Sequence, residues 1–327
     1  MNVYVDMAYK SLNKHGEELC GDIVELVTTD DSKILILADG MGSGIRANIL
    51  ATLTSKILGT LFFNKLKIDE AVTTIARTLP VSSVNGVAYS TFSILQIFQS
   101  GDAYLVEFDN PGCIFIRDGE IQKIPFVERE IEGKKIREYR FHVKIHDAFV
   151  LMSDGCIGCS AGDVYNYGWD WKHISEYALK VYGQTQSASH MAGMINQACD
   201  DLYLQEPGDD TTIAVARIIE EKVVNIMTGP PENKADDSRM VRDFIRQEGI
   251  KIVSGGITSQ IVARELREDL VMSVDNLDPV IPPTSKIRGI DLVTEGVITL
   301  NHVIELLQQY TQDDVSLDLF DELAKEN

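Results

Sequence analysis

Basic side chains are in short supply. The 327-residue chain carries 30 Lys and Arg against 50 Asp and Glu, a formal charge of -20 at neutral pH. The acidic excess runs through both halves rather than sitting in one tail. Such a surface repels phosphate backbones and anionic headgroups, so neither nucleic acid nor a membrane is an expected partner. Cysteine is scarce as well. Five residues are too few, and too odd in number, for a disulfide scaffold. Long apolar runs are missing: 34–38 and 148–152 are strand-length, far short of the ~20 residues a membrane span needs. Met1-Asn2-Val3-Tyr4-Val5-Asp6 has no basic stretch followed by an apolar one, so it does not read as a secretory signal. These absences lead to the expectation of a protein of the reducing cytoplasm. Internal repeats and low-complexity segments are absent too.

The rest is ordinary globular composition, 44% hydrophobic and 24% charged. The length predicts about two domains. Apolar runs at 23–27 and 34–38, separated by Thr29-Asp30-Asp31-Ser32, read as a β-hairpin. Ile45, Ile49, Leu53, Ile57 and Leu61 recur at helical spacing over 45–63, and a second helix covers 68–79. A meander follows, with strands at 87–98, 103–108, 113–116 and 121–124 and turns at Ser100-Gly101-Asp102, Asn110-Pro111-Gly112 and Asp118-Gly119. The charged stretch 127–141 is expected to be a mobile hairpin or flap. A buried strand at 149–152, helices at 172–182 and 187–204, and a strand at 211–218 complete this part. Beyond Glu221 the pattern becomes strand–helix alternation, which predicts a small α/β domain over 222–327 with a last helix at 299–310. The acidic end, 313–326, reads as a solvated helix face.

The acids sit at strand ends. Asp22 opens a strand and Asp39 closes one; Asp154 closes another and Asp209 opens the last. Each has a glycine on one side. A hairpin centred between Asp30 and Asp31 makes Asp22 and Asp39 cross-strand neighbours, Cβ atoms ~5 Å apart. Like charges that close repel unless a cation lies between them. Antiparallel pairing of the later strands would bring Asp154 and Asp209 to one edge. Any single Asp-Gly pair is most simply a turn. Four together, with no His or Cys among them, point to Mg²⁺ or Mn²⁺ rather than Zn²⁺. Two such ions ~3.5–4 Å apart activate water and clamp a phosphoryl oxygen.

Gly21-Asp22, Asp39-Gly40-Met41-Gly42-Ser43-Gly44, Ser153-Asp154-Gly155 and Gly208-Asp209-Asp210-Thr211-Thr212 resemble the metal-binding motifs of the metal-dependent, type 2C protein phosphatases. The Asp-Gly-Met-Gly-x-Gly form is similar to the stage II sporulation protein E branch of that family. Order and spacing match over 1–220. The resemblance implies an α+β fold for 1–221, a four-layer α-β-β-α sandwich of two antiparallel sheets. It implies two Mn²⁺ or Mg²⁺ ions, with Asp39 bridging them and the Gly40 carbonyl adding a ligand. Asp22 would hold one ion, and Asp154 with Asp209 the other. It further implies hydrolysis of phosphoserine or phosphothreonine by direct attack of metal-bridging hydroxide, with no phosphoenzyme. The implied partner is a phosphorylated bacterial regulatory protein such as an anti-sigma-factor antagonist. Asp210 stands where eukaryotic relatives often carry Asn, and is expected beside the ligands rather than among them. Arg46, on the helix after Asp39, either faces the site or is a solvated helix residue. The phosphate-gripping Arg of eukaryotic members has no counterpart; the nearest basic residues are Lys10, Lys14 and His15.

Cys156-Ile157-Gly158-Cys159 supplies only two of the four ligands a zinc site needs and reads mainly as two packed thiols, with redox-sensitive modulation the second reading. Gly255-Gly256-Ile257-Thr258-Ser259 leads from a strand into a helix, where exposed N–H groups can bind an anion, although a plain tight turn is the simpler reading. Two other functions compete with phosphoprotein hydrolysis. One is a non-catalytic scaffold that uses the fold for partner binding; the other is a small-phosphoester hydrolase.

Overall fold

The computed structural model describes residues 3–78, 90–159, 169–272 and 283–311. The end of the second expected helix, the start of the 87–98 strand and the acidic segment 313–326 lie outside them. The chain divides into two compact units, Met1–Glu221 and Lys222–Asn327.

In the first unit the strands are β1 (Val3–Leu12), β2 (Asp22–Thr28), β3 (Ser32–Gly40), β4 (Ser90–Phe98), β5 (Asp102–Phe108) and β6 (Ile114–Arg117). They continue with β7 (Glu120–Gln122), β8 (Phe126–Ile131), β9 (Lys134–His142), β10 (Ala148–Met152) and β11 (Thr211–Glu220). Helices α1 (Gly44–Phe63) and α2 (Ile68–Thr78) follow β3, and α3 (Trp171–Tyr182) and α4 (Ala188–Leu202) precede β11. One sheet runs β1-β11-β10-β6-β7 and the other β2-β3-β4-β5-β9-β8. All their pairings are antiparallel.

Three apolar clusters divide the inward residues of these sheets. Leu35 and Leu37 of β3 meet Phe149 and Leu151 of β10 and Ala214 and Ala216 of β11 between the sheets. Ile34 and Ile36 point the other way, onto Leu58, Phe62, Val72 and Ile75 of α1 and α2. Val150, Met152, Ile213 and Val215 face Ile174, Ala178, Met191 and Ile195 of α3 and α4. The order is therefore α1/α2, sheet, sheet, α3/α4. This explains the uninterrupted apolar runs: a central strand with a sheet on one face and helices on the other has no solvent-facing side. Each fully buried Leu or Ile contributes about 1.5–3 kcal/mol relative to exposure.

Residues 127–141 are a hairpin but not a flap. β9 pairs with β5 from Asp102↔His142 to Glu107↔Arg137, and β8 closes the sheet edge. Ile131, Ile136 and Tyr139 turn inward between the charges. The acids that point in are bound: the Tyr104 hydroxyl donates to Glu138 at 2.6 Å, the Tyr139 hydroxyl to Glu107 at 2.5 Å, and Arg129 pairs with Glu138 at 2.7 Å. The abundance of charge hid a period-2 pattern. Strand β1 is a second addition. It pairs with β11 along its whole length, from Val3↔Glu220 to Leu12↔Thr211.

The second unit is a mixed sheet. Strands β12 (Val224–Thr228), β13 (Ile250–Ser254) and β16 (Leu292–Thr294) run parallel, and the short β14 (Val271–Met272) and β15 (Ser285–Lys286) extend one edge antiparallel. Helices α5 (Asp237–Arg246) and α6 (Gly256–Leu266) place Val241, Ile261 and Val262 against Met227, Val253 and Val293. The Arg264 guanidinium pairs with the buried Asp237 carboxylate at 2.5 Å. Helix α7 (Val297–Thr311) follows β16.

Each apolar cluster draws on one unit only. A fragment of residues 1–221 is accordingly expected to express in soluble form and melt in one sharp transition. An insoluble or molten fragment, seen by calorimetry and near-ultraviolet circular dichroism, would place the boundary elsewhere.

Candidate metal centre

The hairpin of β2 and β3 sets the first pair of acids. Its register runs from Thr28↔Lys33 to Asp22↔Asp39, so these two carboxylates stand opposite each other where the sheet ends. Helix α1 closes over this edge. Asn48 of α1 donates to the Cys20 carbonyl at 2.8 Å, and the Ser90 hydroxyl donates to the Asp39 carbonyl at 2.6 Å. Any side chain at position 40 would collide with the Ala47 carbonyl of α1, so only glycine fits where the helix crosses.

The second pair comes from β10 and β11, which pair as far as Met152↔Ile213. The ladder continues one step: Ser153 N–H donates to the Thr212 carbonyl at 3.1 Å, and Thr212 N–H donates to Ser153 Oγ at 2.8 Å. Asp154 then starts a single 3₁₀ turn, Asp154–Cys156. Asp209 and Asp210 precede β11 on the facing side. Asp209 Oδ1 accepts from the Asp210 N–H at 3.0 Å.

The degree of burial separates these acids. Asp22 and Asp210 are each only 4% exposed, while the Asp209 side chain is 46% exposed. Among the described residues, Asp22 Oδ2 and Asp210 Oδ2 are buried without a hydrogen-bond partner. Asp210 Oδ2 lies against Gly21, next to Asp22, and its Oδ1 accepts from the Lys14 N–H at 3.0 Å. Burial pushes the Asp22 carboxyl well above the usual carboxylate range. The Ser153 and Thr212 hydroxyls pull it partly back, and the charges of Asp210 and Asp154 push it up again. Asp39 is raised too, first by burial and then by Asp22, Asp154 and Asp209. Asp209 is raised by burial and eased by the Lys14 ammonium, which stands 3.8 Å from its Oδ1.

These residues fit a hard divalent cation in chemistry. The donors are carboxylate and carbonyl oxygens; among the described residues Lys14 is the one ion-pair partner found for them, and two buried oxygens lack a hydrogen-bond partner. Among the described residues no three His, Cys, Asp or Glu side chains already stand around one point as a finished ligand set. Asp210, expected beside the ligands rather than among them, is more deeply buried than Asp209. Arg46 is exposed and forms no ion pair among the described residues. Lys14 went unassigned because nothing before the Gly21-Asp22 motif marks it; the pairing of β1 with β11 is what brings it to Asp209 and Asp210. Cys156 and Cys159 are buried, and each thiol donates to a carbonyl, that of Thr212 and that of Gly155, at 3.3 Å. Burial and the Asp22 charge push the Cys20 thiol up to about 12, so it stays protonated beside the acids.

A family model described as Stage II sporulation protein E (SpoIIE) matches residues 29–219, more than half of the chain. The chain belongs to that family. Among solved structures it is similar to the SpoIIE phosphatase domain of Bacillus subtilis, at 18% identity over 68% of this chain and 95% of that one, with a TM-score of 0.50. A second B. subtilis structure, the PP2C phosphatase domain with a fragment of the regulatory domain, gives 18% identity, 67% and 65% coverage and a TM-score of 0.55. The RsbU and RsbW domains of a Mycobacterium tuberculosis protein give 15%, 74% and 68%, and 0.56. The chain thus spans about two thirds of the length of these last two. At such identities the likeness is one of fold, a PP2C-type phosphatase fold. No curated protein sequence matches the chain significantly. Among the described residues no helix is long and apolar enough to cross a membrane.

Raised carboxyl pKa values give a signed prediction for the metal-free protein. A carboxyl raised on folding contributes stability that is fully present below its unfolded pKa of about 3.9 and is lost as pH climbs through the raised folded value. Asp39→Asn removes that loss. In EDTA the variant should therefore melt above wild type, by a margin that grows from pH 5 to pH 8. Thermal denaturation across this range checks it; a constant or shrinking margin contradicts the like-charge cluster.

Proposed function

We propose that the chain is a metal-dependent protein serine/threonine phosphatase. The observation that carries this reading is the cluster of Asp22, Asp39, Asp154 and Asp209 at the ends of the central strands, on a SpoIIE-family fold. Asp22, Asp39, Asp154, Asp209 and the Gly40 carbonyl would hold two Mn²⁺ or Mg²⁺ ions. Ions of this kind supply activated water and neutralise charge on a transferring phosphoryl group. The chain's own residues do the rest. Ser153 and Thr212 hydroxyls keep Asp22 toward its ionised form, and the Lys14 N–H holds Asp210 in place through Oδ1. Asp210, buried beside Asp22, adds negative charge to the same pocket. The Lys14 ammonium, 39% exposed, is a cation within reach of an anionic group that approaches Asp209.

The substrate in this reading is a phosphoserine or phosphothreonine protein of a bacterial regulatory system, such as an anti-sigma-factor antagonist. The family match and the similarity to domains of RsbU type support that class. The net charge of -20 weighs against nucleic acid. A cytoplasmic setting accords with unpaired Cys20, Cys113, Cys156, Cys159 and Cys199.

Phosphate release from a phosphothreonine peptide should require Mn²⁺ or Mg²⁺, stop with EDTA, and exceed release from p-nitrophenyl phosphate or DNA in kcat/KM. Asp39→Ala should abolish turnover in a folded protein. Asp154→Asn and Asp209→Asn should each weaken Mn²⁺ binding at least about 10-fold, the loss typical of even an outer ligand partner. Metal-independent turnover, or Mn²⁺ titrations unchanged in both variants, would defeat the proposal. A binding-only scaffold would show none of these activities.

A further inference from the structure

The second unit carries chemistry that a phosphatase reading leaves unused. Its parallel strands β13 and β16 are neighbours, and each ends in a glycine turn that opens a helix. Ser254-Gly255-Gly256 leads into the 11 residues of α6, and Thr294-Glu295-Gly296 into the 15 of α7. The turns touch. Gly255 N–H donates to the Thr294 carbonyl at 2.9 Å, and a Cβ on Gly296 would lie 3.2 Å from Gly255 Cα. Gly255 sits at φ +107, a conformation other residues rarely adopt. Two helix starts therefore open side by side at the carboxyl edge of a parallel sheet, where α/β folds hold their ligands. The first N–H groups of each helix have no partner within it and carry the positive end of its dipole.

A helix start alone does not imply a ligand, but the hydroxyls above these two do. Thr258 is the third residue of α6. It is 2% exposed, and its hydroxyl makes no hydrogen bond among the described residues. Its Oγ1 lies 3.5 Å from where a Cβ of Gly255 would stand, so it faces the open turn. Thr299 is the third residue of α7; it is half-buried, and among the described residues its Oγ1 is buried without a partner. Helical Cβ atoms tilt toward the N-terminus, which directs third-position hydroxyls back at the turn. The other hydroxyls nearby are satisfied. Ser259 donates to the Gly255 carbonyl at 2.8 Å, and Thr294 to Ser254 at 3.3 Å. A buried hydroxyl without a partner is unfavourable, and both threonines stand in the first turns of helices that open at the touching glycine turns.

We propose that the paired glycine turns bind the phosphate group of a small organic phosphate. The N–H groups of Gly256, Ile257 and Thr258 face the phosphate oxygens, and the Thr258 and Thr299 hydroxyls donate to them. Glu295 is an exposed carboxylate on the second turn. It repels a bare anion and accepts from a hydroxyl, which favours a sugar phosphate or nucleoside monophosphate over inorganic phosphate. This site belongs to the second unit and the aspartate cluster to the first, and it stands or falls independently of the phosphatase reading.

Calorimetric titration of the full chain in EDTA, which silences any metal-dependent binding, tests it. The probes are ribose 5-phosphate, AMP, GMP, adenosine and inorganic phosphate. At least one organic phosphate should bind once per chain with Kd below about 1 mM, and adenosine and inorganic phosphate more weakly. Nothing lies within 4 Å of a Cβ at Gly256, so Gly256→Asp fits and places a carboxylate where the phosphate would sit. It should weaken binding at least about 10-fold with the melting temperature maintained. Thr258→Val should weaken it by a smaller factor. Absence of binding by all three organic phosphates at about 1 mM, or equal binding by Gly256→Asp, overturns the proposal.

Discussion

Repulsion among carboxylates at the ends of buried strands is the constraint on which the first unit depends. Two unit charges ~5 Å apart repel by about 3 kcal/mol at an effective dielectric of ~20. A domain has only about 5–15 kcal/mol of net stability in all. Asp22 and Asp39 face each other across one hairpin, and Asp154, Asp209 and Asp210 approach from the other sheet. The cluster therefore either keeps protons at neutral pH or takes up cations. Lys14 alone is too little and too exposed to neutralise it.

The sandwich explains why the acids meet. Ile34 to Ala38 have no solvent side, since α1 covers one face and the sheet that holds β10 and β11 the other. Phe149, Val150 and Leu151 are enclosed in the same way by α3, α4 and the sheet that holds β3. Polar residues are expelled from these strands to their ends. Asp39 and Asp154 are the residues at which two such runs stop. Pairing of the sheets through Leu35, Leu37, Phe149 and Leu151 then sets both ends at one rim.

Much of this was legible in the sequence because it rests on local pattern. The Asp22–Asp39 register follows from turn position, and the apolar runs at 34–38 and 149–152 identify strands buried on both faces. What escaped was non-local or masked. β1 has unremarkable alternation, and its place is decided by pairing with β11, more than 190 residues away. The hairpin of β8 and β9 hid Ile131, Ile136 and Tyr139 among charges such as Arg129, while the partners of Arg129 and Tyr139, Asp69 and Glu107, lie elsewhere in the chain. The burial of Asp210 was equally invisible. An Asp-Asp pair does not say which carboxylate turns inward until Gly21 is seen packed against one of them. In the second unit the Gly255-Gly256 turn was readable, but its contact with Gly296 required the parallel pairing of β13 and β16.

Anomalous diffraction from crystals of the full chain grown with Mn²⁺ tests the central claim most directly. The account predicts manganese peaks enclosed by Asp22, Asp39, the Gly40 carbonyl, Asp154 and Asp209, with Asp39 shared between two of them. Crystals saturated with Mn²⁺ that show no peak among these oxygens, or a peak only at other carboxylates, would contradict it.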